Sequence, residues 1–138
     1  MAGLQRFGVS MDEELLREFD GLIAKRGYSI RSEAIRDLIR EELARQAAQD
    51  PATEVAASLA ILYSHHDFER GNLLNRLQHQ HHEIIVCTTH VHLDEHTCLE
   101  VIILRGASEQ VRSVADALVS RRGVRQGHLT CIPLHRLP

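Results

Sequence analysis

The chain opens on a period-two alternation. Within residues 4–11, Phe7, Val9 and Met11 share one face and Arg6, Gly8 and Ser10 the other, which predicts a short strand. The period then becomes helical. Ser10 followed by Glu13 reads as a capping box, Leu15, Leu16, Phe19, Leu22 and Ile23 form one apolar stripe, and Gly27 is the expected stop. Ser29 is placed to cap a second helix, with Ile30, Ala34, Ile35, Leu38, Ile39 and Leu43 as its buried face. Residues 46–53, containing Asp50-Pro51, break the pattern and predict a linker between two domains, 1–48 and 54–138.

The second domain reads as strand 55–63, helix 67–81 with Leu73, Leu74 and Leu77, and strands 83–93 and 97–104 joined by the turn Asp94-Glu95-His96. Helix 108–121, with Val111, Val114, Ala115, Leu118 and Val119, and strand 124–134 complete it. The order βαββαβ is the ferredoxin-like unit, so the expected class is α+β. The first domain is different: one strand followed by two helices has no second strand to pair with. Its unsatisfied backbone edge calls for a symmetric partner, strand against strand with four helices beneath, which is a ribbon-helix-helix arrangement. Such a ribbon fits the major groove, with Arg6 and Ser10 as base readers and Gly8 between them. The start of the second helix, at Ser29, Arg31 and Ser32, is suited to a DNA phosphate. The bland alternative is an edge strand docked on the second domain, with Arg6 merely solvated.

Composition narrows the classes. A chain of 138 residues, 43% hydrophobic and 25% charged, is globular and too short for a large multidomain enzyme. No apolar run approaches a membrane span and the N-terminus lacks a cleavable leader, so a soluble cytoplasmic protein is expected. The odd set Cys87, Cys98 and Cys131 suits a reducing compartment. Net charge is −3, and residues 1–48 hold eight basic against nine acidic side chains, so any DNA contact rests on local placement of charge. The unusual number is ten histidines, six of them between His79 and His96.

His90 and His92 lie on one face of a strand, about 7 Å apart by alternation. The turn after them brings Cys98 close, with Glu100 on the same face as Cys98, while Cys87 has the opposite parity. Two imidazoles and a thiolate suit Ni(II), Cu(II), Zn(II) or Co(II) rather than Mg or Ca. A fourth position remains for water or another chain's histidine. His90-Val91-His92-Leu93-Asp94-Glu95-His96 also approaches the H-x-H-x-D-H signature of di-zinc hydrolases. Glu95 breaks that spacing, and the chain lacks the length for such a fold.

The stretches RGYSIRSEAIRDLIR (26–40), HVHLDEHTCLEV (90–101) and RGVRQGHL (122–129), with QHQHHE (78–83) before the H-x-H-x5-C arrangement, closely resemble the nickel-responsive transcriptional regulators (NikR). The resemblance implies a non-enzymatic repressor of nickel uptake genes that binds double-stranded operator DNA when nickel is present. It implies a ribbon-helix-helix domain, an ACT-type ferredoxin-like regulatory domain and a homotetramer, a dimer of dimers. It also implies one planar Ni(II) site per subunit, made by His90, His92 and Cys98 of one chain and His79 of another, with Glu100 close by. Glu33 and Asp37 match carboxylates that hold a cation, often K+, in relatives. Gln126 falls in a matching motif, and no role is implied for His65, His66, His81, His82 or His96.

Two departures stand out. Outward strand residues typical of the family are Arg-Thr-Thr, against Arg6, Gly8 and Ser10 here, and residues 67–70 are net acidic where some relatives place basic phosphate contacts. The rival readings are the same architecture sensing cobalt, copper or zinc, and a metal-blind repressor whose ACT-like domain binds an amino acid.

Overall fold

Asp12 caps the first helix. Its carboxylate accepts the Leu15 N–H at 2.8 Å, and α1 runs Glu13–Lys25. The expected Ser10–Glu13 capping box does not form, because Asp12 stands where a short side chain reaches the third helical N–H and Ser10 is two residues too early. Gly27 ends the helix as expected. At φ +82° it lets its own N–H return to the Ala24 carbonyl (3.0 Å) and that of Tyr28 to Ile23 (2.9 Å), a Schellman stop. The next helix, α2 (Arg31–Ala47), closes its first turn on the Ile30 carbonyl, one residue after Ser29.

The computed structural model describes residues 3–64, 66 and 73–135, which fall into two compact units, Met1–Arg40 and Glu41–Pro138. In the first unit only Ile23 and Ala34 are buried among the described residues, while Leu4 is 87% and Phe7 72% exposed. Phe7, Val9 and Met11 line a groove of about 860 Å³ with Leu16, Phe19, Ile35 and Ile39. Residues 3–12 belong to no helix or strand. Alternation sets which way side chains face, but a strand exists only when its backbone has a partner. Among the described residues of this single chain, the segment has no ladder.

The second unit holds β1 (Glu54–Ser64), α3 (Leu73–Gln80), β2 (Ile85–His92), β3 (Thr97–Ala107), α4 (Ser108–Val119) and β4 (Val124–Pro133). Residues 67–72 of the expected helix 67–81 lie outside the described residues, as does the acidic segment 67–70. The strands form one antiparallel sheet in the order β2-β3-β1-β4, the ferredoxin-like order. Every second residue of β1, from Val55 to Tyr63, is buried, and these pack with Cys98, Ile102 and Leu104 of β3, Leu77 of α3, and Val111, Val114 and Leu118 of α4. One register shift interrupts the β2–β3 ladder between Ile85 and Cys87, before the histidines. Of the expected linker 46–53, Gln46 and Ala47 belong to α2, and Ala48 is buried in the core of the second unit. No helix among the described residues is long and apolar enough to cross a membrane.

Gly127 on β4 lets α4 approach the sheet, since a Cβ there would overlap Val119 Cγ2. Gly127→Ala is expected to lower unfolding stability by about 1–3 kcal/mol through overpacking. A urea midpoint equal to that of the unsubstituted protein would show that α4 has room to move away.

Candidate metal centre

The turn at Asp94 builds the hairpin that carries the centre. Its carboxylate accepts the backbone N–H groups of His96 (2.8 Å) and Thr97 (2.7 Å) and so reverses the chain from β2 into β3. The register that follows sets His92 opposite Cys98 and His90 opposite Glu100. Potential donor atoms of His90, His92 and Cys98 lie within 4.8 Å of one another. Cys98 Sγ is 3.4 Å from His92 Nδ1, and the two imidazole rings are 4.7 Å apart at 71°. The imidazoles are exposed at the sheet edge, and Cys98 is buried one strand further in.

Glu100 is the buried charge beside this group, 4% exposed. Gln78 Nε2 of α3 donates to its Oε1 (3.1 Å), and the Tyr63 hydroxyl of β1 donates to its Oε2 (3.3 Å). The same hydroxyl lies 2.8 Å from His90 Nδ1. That contact occupies His90 Nδ1 and leaves Nε2 as the ring nitrogen that can face a metal. Burial pushes the Tyr63 phenol well above its ordinary value, with the Glu100 and Cys98 charges adding, so the hydroxyl stays protonated. Sequence reasoning missed Tyr63 and gave Gln78 no role. The available signal was a tyrosine, one of only two, closing an apolar strand. Tyr63→Phe is expected to destabilise the metal-free protein by about 1–3 kcal/mol, because a buried carboxylate loses a donor. Unchanged denaturation would mean Gln78 alone satisfies Glu100.

The remaining candidates are placed as follows. His79 is exposed in the last turn of α3 and is not one of the three converging residues; its carbonyl lies 3.1 Å from His82 Nδ1. Cys87 is exposed and Cys131 half-buried, both outside the group. His66 Nε2 meets His96 Nδ1 at 3.1 Å, and His65 lies outside the described residues. In the first unit Arg6, Gly8, Ser10, Ser29 and Ser32 are exposed, and Gln126 on β4 is exposed too. Arg31 makes a two-pronged pair with Asp20 at 2.7 Å, and its guanidinium holds the Asp20 carboxyl below the usual range. Glu33 faces Arg36 at 4.0 Å, while Asp37 accepts from Arg40 (3.1 Å) and from the Tyr28 hydroxyl (2.9 Å). The like-charged carboxylates of α2 are thus answered within the same unit.

Two family models match the chain. A ribbon-helix-helix protein of the copG family matches residues 5–46, and the NikR C terminal nickel binding domain matches residues 56–132. A relative from Solibacter usitatus, provisionally named a nickel-responsive regulator, is 48% identical over 94% of each chain. One of the same name from Nitratidesulfovibrio vulgaris is 48% identical over 91% of this chain and 90% of its own. Another from Pyrococcus furiosus is 46% identical over 92% of each. The chain therefore belongs to the nickel-responsive regulator family, with a ribbon-helix-helix domain followed by a NikR-type C-terminal domain.

Proposed function

We propose that this protein represses nickel uptake genes by binding operator DNA when Ni(II) occupies one site per subunit of a homotetramer. The observation that carries the reading is the convergence of His90, His92 and Cys98 within 4.8 Å, three donors from one hairpin. Two imidazoles and a thiolate fit Ni(II), and they also admit cobalt, copper and zinc; the choice of nickel rests on the family. His79 of another subunit is the proposed fourth ligand. When bound, the metal supplies a link between chains. His90 is held for it by Tyr63, Tyr63 in turn by Glu100, and Cys98 supplies the charge-bearing donor. Because three ligands belong to one subunit and one to another, the quaternary state in which they meet is the state that is favoured. A cation at Glu33 and Asp37 would compete with Arg36, Arg40 and Tyr28, and the proposal does not require one.

The exposed apolar residues of the first unit support pairing of residues 4–11 with a second copy, which sets Arg6 and Ser10 outward towards base edges, with Gly8 as a gap between them. Two measurements test the two halves of the proposal. His79→Ala and Cys98→Ala tetramers should each lose the thiolate-to-Ni(II) absorption, and co-refolded mixtures should recover part of it. An interface between the two variants then carries one intact site, so no recovery in verified mixed tetramers would place every ligand in one chain. Arg6→Ala should weaken operator binding by roughly 1–3 kcal/mol and relax sequence preference, with wild-type affinity falling steeply with salt. An unchanged footprint would move base reading elsewhere.

A further inference from the structure

His92 and Cys98 are the outermost pair of the β2–β3 ladder, and beyond them lies the turn 93–97. The Leu93 N–H donates to the Thr97 carbonyl at 2.9 Å. Leu93 and Thr97 are therefore the hydrogen-bonded kind of antiparallel pair, and His92 and Cys98, next to them, are the other kind. Such a pair brings its side chains closest, with Cα atoms about 4.5 Å apart, but has no backbone bond between its own two residues. The closeness suits an imidazole and a thiolate that share a metal. The missing bond means that the pair keeps its register only while both flanks keep theirs. The inner flank is the ladder through Val91 and Leu99 into the sheet. The outer flank is the turn. A regular ladder would return the Thr97 N–H to the Leu93 carbonyl; instead Asp94 Oδ1 accepts it at 2.7 Å and accepts the His96 N–H at 2.8 Å. The Asp94 N–H in turn faces the Thr97 carbonyl at 3.4 Å. One carboxylate oxygen thus closes the outer flank, at exposed residues where water competes for both N–H groups.

We infer that Asp94 is a positioning residue of the metal centre: its side-chain oxygen, acting as a hydrogen-bond acceptor, holds Cys98 against His92 before metal arrives, so that tight nickel binding depends on it. The inference rests on the proposed function and deepens it at the same site. Asp94 is not one of the three converging donors. Its effect is on order. Cys98 reaches the centre from the far side of the turn, and a frayed turn would let it leave His92, so that binding would have to restrict it again. Donors ordered in advance remove that cost from the binding step. Asp94 also carries a negative charge close to where a dication would sit. The two roles separate in asparagine, which keeps the acceptor oxygen and loses the charge.

The test compares wild type, Asp94→Ala and Asp94→Asn in the full chain, titrated with Ni(II) against EGTA and followed by thiolate-to-Ni(II) absorption. Asp94→Ala should bind at least tenfold more weakly, yet show the wild-type spectrum once saturated, because the ligands are unchanged. Asp94→Asn should return the affinity to within threefold of wild type. Amide exchange of the metal-free proteins supplies a second readout. The Leu93 amide should exchange at least tenfold faster in Asp94→Ala than in the other two, with the β1 amides unaltered; a general loss of structure would speed both. Wild-type affinity in Asp94→Ala overturns the inference. Asp94→Asn as weak as Asp94→Ala assigns the effect to charge and overturns it equally, and an altered spectrum at saturation would make Asp94 a ligand instead. A wild type without thiolate-to-Ni(II) absorption removes the proposed function, and the same titration with Co(II) then judges Asp94.

Discussion

A carboxylate enclosed on the helix-facing side of a sheet has to be met by donors, since an unpaired buried charge would neutralise or unfold its surroundings. Glu100 is that carboxylate, and the centre of the second unit is arranged to meet it. Its partners come from separate elements: Tyr63 from β1, Gln78 from α3 and, through Tyr63, His90 from β2. One acidic side chain therefore ties three elements to β3, two residues from Cys98. Removal of a donor leaves a carboxylate that its apolar neighbour across the ladder, Ile61, cannot satisfy. The candidate donors His90 and Cys98 stand beside this carboxylate and share its surroundings.

How far the sequence revealed this differs residue by residue. His90, His92 and Cys98 were legible because strand alternation and a short turn are local rules, and the hairpin obeys both. Tyr63 was not, because nothing in spacing relates position 63 to position 100; the β1–β3 register does that, and it is fixed by the whole sheet. The first helix shows the limit of a local rule, since Ser10 and Asp12 both satisfy cap chemistry and only the helix start distinguishes them. The strand at 4–11 had legible faces but no legible partner. Asp50-Pro51 marks the break in the helical pattern, yet the attachment of that segment depends on Ser108, 60 residues from Ala48.

The two units differ in how completely they are built. The second has a continuous buried cluster drawn from β1, β3, α3 and α4, enough to hold its shape. The first spends its apolar residues differently, leaving Leu4, Phe7, Val9 and Leu15 largely in solvent. Small units bury too little surface to be stable alone. On the proposed pairing of residues 4–11 with a second copy, stability of the first unit is coupled to association and varies with protein concentration.

The irregular step between Ile85 and Cys87 has an evolutionary consequence. Were the Ile85–Leu104 register continued without it, Val91 would face Cys98 and His90 would face Leu99. The extra residue changes the phase of the strand, turning the two histidines to the side where the cysteine lies. The centre is therefore specified by a count as much as by its chemistry. A lineage that lost one codon in this stretch would keep every ligand and every stretch of recognisable motif, yet present its imidazoles to the wrong face of the sheet. Identity of the ligand residues alone is an incomplete criterion for function in such hairpins, and the number of residues leading up to them carries information of its own.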